Sequence, residues 1–136
     1  MNLKKIIREE IDDLQWIHDI RLEPFNVERA TEEIFEYFKN GFRFNNDWVI
    51  SFNNFTGVVE WVNQNNDEIV FYATPFWDGA DYIPIDYQTE DGYGTITTIK
   101  IADFKYMEEF RQWLKTDYLE EVWRIIDDYY TRWFLN

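Results

Sequence analysis

The sequence predicts a single α+β domain over residues 1–136. An antiparallel meander of about five strands is flanked by two N-terminal helices and a long, bent C-terminal helix. Apolar residues recur with the helical period at both ends of the chain and with a period of two in the middle. The connections in the middle are rich in turn residues and too short for parallel crossovers. With 12 Phe, 9 Tyr and 7 Trp, the chain can build a core despite its net charge of −14.

Two amphipathic helices are predicted before the sheet. In residues 3–18, apolar side chains fall at helical spacing and charged side chains lie mostly on the opposite side. The second helix is predicted to begin after Asn26, a good N-cap residue, and to end at Asn40 and Gly41. Glycine ends a helix well because it readily adopts the left-handed conformation found just past the last turn.

Five strands are predicted between residues 42 and 101. They cover residues 48–52, 58–62, 69–74, 82–88 and 95–101. Pro84 cannot donate a hydrogen bond to a ladder, so the fourth strand is expected at an edge or at a change of partner. Thr97 and Thr98 interrupt the alternation between Ile96 and Ile99, which predicts a bulge.

A C-terminal helix is predicted to begin after Asp103, which can act as its cap. One unbroken helix from there to residue 134 would be about 48 Å long, more than a compact domain of this size can hold. Thr116 and Asp117 followed by Glu120 resemble a capping box. The sequence therefore predicts a bend or a new helix start at this point.

Composition excludes several classes of function. The chain has 27 acids and 13 bases, so it is expected to repel nucleic-acid phosphates and anionic membranes. It has no cysteine, which removes disulfides, thiolate metal ligands and cysteine nucleophiles. No apolar stretch of signal-peptide or membrane-spanning length opens the sequence, so a cytoplasmic protein is expected.

The chain opens with a charged segment at residues 4–13, Lys-Lys-Ile-Ile-Arg-Glu-Glu-Ile-Asp-Asp. This segment resembles the starts of short uncharacterised bacteriophage proteins. The resemblance implies a viral accessory protein, located in the host cell cytoplasm, and carries over no catalytic or binding residue.

Patterns typical of enzymes are weak. His18 and Ser51 are the only residues of their types, and no nucleophile elbow accompanies them. The acidic turns at 78–81 and 90–92 do not match the twelve-residue calcium loop, and paired carboxylates there are expected by chance in so acidic a chain. Gly92 and Gly94 lack the third glycine and the helix of a dinucleotide site. A non-enzymatic protein without a cofactor is therefore predicted.

The charge of the predicted sheet is one-sided. No Lys or Arg lies between Arg43 and Lys100, whereas nine acids do. These acids are Asp47, Glu60, Asp67, Glu68, Asp78, Asp81, Asp86, Glu90 and Asp91. Because a buried carboxylate without a partner costs several kcal/mol, most of them must face water. The acidic surface has two interpretations, solubility and a docking face for a basic partner.

A second unusual feature is the aromatic turn at residues 76–82, where large rings alternate with acids and a glycine. Its rings either pack onto the sheet or stack on a cation, an Arg side chain or a sugar. With the acids, it completes the candidate binding residues: Glu60, Trp77, Asp78, Asp81, Tyr82, Asp86, Glu90 and Asp91.

Three functions fit these features. The leading hypothesis is a small acidic interaction protein that docks on a basic, nucleic-acid-binding surface of another protein. The alternatives are a structural subunit of a virion or homo-oligomer, and a carbohydrate- or cation-binding module.

Overall fold

The computed structural model describes residues 22–75 and 81–135. Its helices are α1 (Val27–Phe38), α2 (Met107–Lys115) and α3 (Asp117–Phe134). Its strands are β1 (Phe42–Arg43), β2 (Trp48–Asn53), β3 (Val58–Asn63), β4 (Asn66–Tyr72), β5 (Tyr82–Thr89) and β6 (Gly92–Lys100). The helix predicted over residues 3–18 lies outside the described residues. No helix in the described ranges is long and apolar enough to cross a membrane.

The six strands form one antiparallel sheet in the order β1-β2-β3-β4-β5-β6, so each strand pairs with its neighbours in sequence. This order confirms the predicted α+β class and the meander. The predicted number of five strands is wrong by one. The additional strand, β1, has only two residues, too few to show a period of two in the sequence.

Both predicted boundaries of α1 are confirmed. The Asn26 side chain accepts a hydrogen bond from the backbone N–H of Arg29 at 3.0 Å, which satisfies one of the free donors of the first turn. After the helix ends, Gly41 has φ of +66° and turns the chain into β1.

The start of α2 differs from the prediction. The carboxylate of Glu109 accepts hydrogen bonds from the backbone N–H groups of Lys105 and Tyr106, both at 2.9 Å. This contact fixes the helix start at Met107, so Asp103 is not the cap.

The predicted break at Thr116 is confirmed, since α2 ends at Lys115 and α3 begins at Asp117. The predicted capping box is wrong. The Thr116 hydroxyl donates to the carbonyl of Gln112 at 2.6 Å and does not cap α3. The two helices meet at this residue, so the C-terminal segment is a pair of helices instead of one bent rod.

Pro84 lies where β5 has a neighbour on one side only. It pairs with Thr98 in β6, whereas the described pairs with β4 run only from Val70–Gln88 to Tyr72–Asp86. The Pro84 nitrogen, which has no hydrogen to donate, therefore faces the side of β5 on which the described pairs with β4 have already ended. Of the two predicted alternatives, the edge position is the one found: among the described pairs, β5 pairs at Pro84 with β6 alone.

The sheet contains a bulge in β6, but one residue earlier than predicted. Ile85 pairs with Thr97 and Asp86 pairs with Thr95, which leaves Ile96 as the additional residue. Thr97 and Thr98 are regularly paired. The bulge allows Ile96 and Ile99, which are three residues apart, both to pack toward the core.

Helices α1 and α3 pack on one face of the sheet, mainly through aromatic side chains, and α2 packs against α3 through Trp113 and Tyr118. Trp123 of α3 lies against Trp48 and Trp61, with ring centroids 5.7 and 6.4 Å apart. Phe35 of α1 meets Phe52 edge to face at 5.3 Å. These rings provide large apolar areas, which explains how a chain of high net charge holds two layers together.

A buried hydroxyl joins α3 to the end of β4. Tyr118 is fully buried, and its hydroxyl donates a hydrogen bond to the carbonyl of Ala73. Burial raises the pKa of Tyr118. The indole N–H of Trp61 lies nearby and lowers this pKa by a smaller amount. The geometry of that N–H is not that of a normal hydrogen bond. The phenol is therefore neutral and serves as a fixed donor.

An ion-pair network ties the segment before α1 to α1 and α2. Glu23 accepts hydrogen bonds from Arg29 at 2.9 Å and from Arg111 at 3.0 Å. Both arginines also contact Glu33, at 3.4 and 3.0 Å. The hydrogen bonds from Arg29 and then Arg111 lower the pKa of Glu23.

We expect Tyr118→Phe to lower the free energy of unfolding by about 1–2 kcal/mol, because the buried carbonyl of Ala73 loses its donor. Urea denaturation measures the change. The control is Tyr93→Phe at a hydroxyl that is 85% exposed, where we expect a change of no more than about 0.5 kcal/mol. Equal effects of the two substitutions would contradict the structural role of the Tyr118 hydroxyl.

The lowered pKa of Glu23 predicts a pH-dependent contribution to stability. A carboxyl whose pKa is lower in the folded state than in the unfolded state stabilises the fold above its ordinary value of about 4.5. This contribution disappears as the pH falls through the lowered pKa. We therefore expect Glu23→Gln to be less stable than the wild type at neutral pH, and the difference to shrink below pH 4.5.

Urea denaturation across this pH range tests the prediction, with Asp127→Asn as the control, because Asp127 is exposed and forms no ion pair with a described residue. A Glu23→Gln deficit that does not change with pH would show that the carboxylate charge is not responsible.

Candidate functional site

The two faces of the sheet have different surroundings. Residues that pair across strands share a face, so the register assigns each side chain to one of them. The row Ile50–Trp61–Phe71 lies on the inner face, beneath the helices. The opposite face is covered by none of the described helices, and we call it the open face. Its central residues are Val49, Ser51, Glu60, Val62, Val70, Tyr72, Asp86, Gln88, Tyr93 and Thr95.

One row of the open face is apolar. Val49 pairs with Val62, and Val62 pairs with Val70, so three valines from neighbouring strands lie side by side. All three are half-buried. The row continues through Gln88 to Tyr93, which is 85% exposed.

The adjacent row holds two carboxylates with a tyrosine between them. Glu60 of β3 pairs with Tyr72 of β4, and Tyr72 pairs with Asp86 of β5. Because neighbouring strands are about 4.8 Å apart, the backbones of Glu60 and Asp86 are separated by about 10 Å. Tyr72 therefore lies between two acidic residues in this row, and its hydroxyl donates a hydrogen bond to Gln88 of the adjacent row at 2.8 Å.

Uncharged donors hold the two carboxylates of this row in place. Glu60 accepts from the Asn53 amide at 3.0 Å, and Asp86 accepts from the Thr95 hydroxyl at 2.6 Å. Burial raises the pKa of Tyr72, and the negative charge of Glu60 raises it further. The Tyr72 hydroxyl thus stays protonated.

A second acidic group lies at one end of the sheet, which we call the acidic end. Antiparallel strands alternate in direction, so the starts of β2, β4 and β6 and the ends of β3 and β5 share this end. It holds five carboxylates, all exposed: Asp47, Asp67, Glu68, Glu90 and Asp91.

The structure divides the predicted binding residues among several places. Glu60 and Asp86 share one row of the open face, and Glu90 and Asp91 lie at the acidic end. Tyr82 belongs to the open face at its far corner, and Asp81 precedes it at the end of the sheet opposite the acidic end. Trp77 and Asp78 lie outside the described residues.

The carboxylates of the sheet are not neutralised by described residues. Every ion pair within residues 22–75 and 81–135 takes its acid from Glu23 or from a helix. The cations nearest in sequence, Arg43 and Lys100, lie in β1 and β6 at the two sides of the sheet. Among the described residues, the acids of the strands therefore have no ion-pair partner.

The sequence interpretation missed the apolar part of the open face. Val49, Val62, Val70 and Tyr72 were expected simply as members of alternating strands. A usable signal was present, because β2 to β4 carry apolar residues at odd and even positions alike. Such strands have two apolar faces, and only one of them lies beneath the described helices.

An open cleft of about 750 Å³ lies between the end of β6 and the start of α3. Its lining includes Asp103, Asp117, Glu120 and Glu121, with Trp113 at its base. These four carboxylates are not arranged to bind a metal ion. Within the described ranges, no three carboxylate or imidazole groups are placed to hold one.

Comparison with protein-family models, with curated proteins and with solved structures finds no match to this chain.

The raised pKa of Tyr72 gives a test of the geometry of the open face. We expect Glu60→Gln to lower the Tyr72 pKa toward its ordinary value, because the substitution removes a nearby negative charge while keeping the side-chain shape. NMR titration of ring-labelled tyrosines measures this pKa. The matched control is Glu68→Gln at the acidic end. If both substitutions leave the Tyr72 pKa unchanged, Glu60 does not lie beside the ring.

Proposed function

We propose that this chain is a small non-enzymatic interaction protein whose open face binds a basic, partly apolar surface of a partner protein. The observation that carries the proposal is the row Glu60–Tyr72–Asp86, in which two carboxylates without a described cation flank an aromatic ring. Beside this row lie the three valines. Charged and apolar groups are thus combined on one flat surface, as at protein–protein interfaces.

The row has the shape required to hold an arginine side chain. A guanidinium placed above the Tyr72 ring gains a cation–π contact, and its N–H groups point outward toward the carboxylates on either side. The spacing of about 10 Å between the two flanking strands leaves room for one planar group between the carboxylates. Lysine fits less well because its ammonium is a compact charge that cannot stack on the ring.

The valine row supplies the apolar part of the interface. An aliphatic side chain of the partner would cover Val49, Val62 and Val70 and remove their remaining exposed surface from water. Tyr93 at the end of the row can close over the same side chain. A partner surface with arginine and aliphatic residues on neighbouring positions is therefore the best match.

The acidic end contributes attraction over a longer distance. Its five carboxylates lie beside the open face and add to a net charge of −14. Such a field speeds the approach of a basic partner and weakens as salt is added. The acidic end is separate from the row that contains Glu60. Long-range attraction of the partner and direct contact with it are therefore provided by different residues.

The proposal predicts a specific loss of binding. The probe is a β-strand peptide that alternates arginine with valine, titrated by calorimetry at low and moderate salt. We expect the double substitution Glu60→Gln and Asp86→Asn to weaken binding by about tenfold or more, because both charged hydrogen-bond acceptors of the guanidinium are lost. A probe with lysine in place of each arginine should bind more weakly to the wild type.

The matched control is Glu28→Gln with Glu120→Gln, which removes the same charge from exposed helix positions that form no ion pair with described residues. We expect this control to bind almost as tightly as the wild type. Equal losses in the two double variants would mean that the probe responds to net charge alone, and the open face would then not be the binding site.

A further inference from the structure

The two edges of the sheet are protected to very different degrees. The β1 edge has two residues, one of them Arg43, and short charged edge strands resist pairing with other chains. The β6 edge has nine residues, Gly92–Lys100, and no charged side chain before Lys100. Within the described residues, no segment pairs with its outer side.

The register shows which backbone groups of β6 face away from β5; one of them, the carbonyl of Thr98, also accepts a long hydrogen bond from the Thr97 hydroxyl at 3.5 Å. Ile101 donates its N–H to the carbonyl of Asp81, so the backbone groups of Ile101 point toward β5. Because backbone groups alternate in direction along a strand, those of Lys100 and Thr98 point away from β5. At the other end, Gly92 pairs with Thr89 across the two-residue turn. Tyr93 next to it therefore also points its N–H and C=O outward.

The charges at the two ends of this edge are complementary. The strand starts directly after Glu90 and Asp91 and ends at Lys100. When two copies of β6 pair antiparallel about a two-fold axis, the basic end of each copy meets the acidic end of the other. A register that places Thr98 opposite Tyr93 of the second copy also places Lys100 opposite Asp91.

The exposure of Tyr93 supports the same register. Tyr93, the second residue of β6, is 85% exposed, which is unusual for a large aromatic residue within a strand. In the paired arrangement it would lie on the open face against Thr98 of the second copy. The bulges at Ile96 of the two strands would meet near the two-fold axis, where the ladder is interrupted.

We propose that this protein forms a homodimer by antiparallel pairing of the two β6 edges, which joins two six-stranded sheets into one continuous sheet. The occupant of the edge is a second copy because the edge is self-complementary in charge and in backbone direction. The dimer leaves Glu60, Tyr72 and Asp86 uncovered, whereas Tyr93 lies both at the new strand pair and at the border of the open face.

The first test compares Thr98→Pro with Thr98→Val by sedimentation equilibrium over a wide range of concentration. Proline removes the outward N–H, whereas it leaves the pairing with Pro84 intact because that pair exchanges no hydrogen bond. Valine keeps both the N–H and the side-chain shape. We expect the wild type and Thr98→Val to reach twice the 16.8 kDa of the single chain, and Thr98→Pro to dissociate at least about tenfold more readily.

The second test exchanges charges and does not depend on the tolerance of the fold for proline. We expect Lys100→Asp and Asp91→Lys to weaken the dimer separately and the double variant to restore it, because the attraction is then re-formed with opposite signs. A wild type that stays monomeric at millimolar concentration, equal association of the proline and valine variants when both are folded, or a double variant as weak as the single ones would overturn the proposal.

Discussion

The absence of any cation between Arg43 and Lys100 constrains the whole sheet. A carboxylate in that stretch has no oppositely charged neighbour in sequence, and burying it alone would cost more than most single contacts supply. The strands therefore fill their inner face with Trp48, Ile50, Trp61 and Phe71 and place every described acid on the other face or at the ends. Because the acids cannot be buried, Glu60 and Asp86 lie on the open face, beside the row of three valines.

The helical layer solves its charge problem in the opposite way. There, arginines are shared between acids from different segments, with Arg111 of α2 reaching both Glu23 and Glu33. This network joins three parts of the chain that are far apart in sequence, so it stabilises the helical layer as well as neutralising it. Among the described residues, ion pairs therefore occur in the helical layer and the segment before it, whereas the acids of the sheet take part in none.

Local signals in the sequence predicted local features well. The cap at Asn26, the turn at Gly41 and the break at Thr116 each depend on a few adjacent residues, and all three are confirmed. The cap at Asp103 failed because Glu109, a residue six positions later, supplies the competing contact. The strand β1 was missed because two residues carry no measurable period.

The type of residue in the candidate site could be predicted from the sequence, but the position of each residue could not. The cost of burying an unpaired carboxylate predicted that the acids face water. Which of them become neighbours depends on the register, and only the pairing of β3, β4 and β5 brings Glu60, Tyr72 and Asp86 into one row. Sequence spacing cannot show this, because Glu60 and Asp86 are separated by a whole strand and a long connection.

The bulge at Ile96 also affects how the chain can change in length. Ile96 is the one residue of β6 without a partner of its own, so the ladder on either side of it closes equally well when one residue is removed there. A deletion inside β3, by contrast, would turn Val59 and Trp61 from the core toward water. The last strand can therefore lose one residue at the bulge without a change of register, at the cost of the contact between Ile96 and the core.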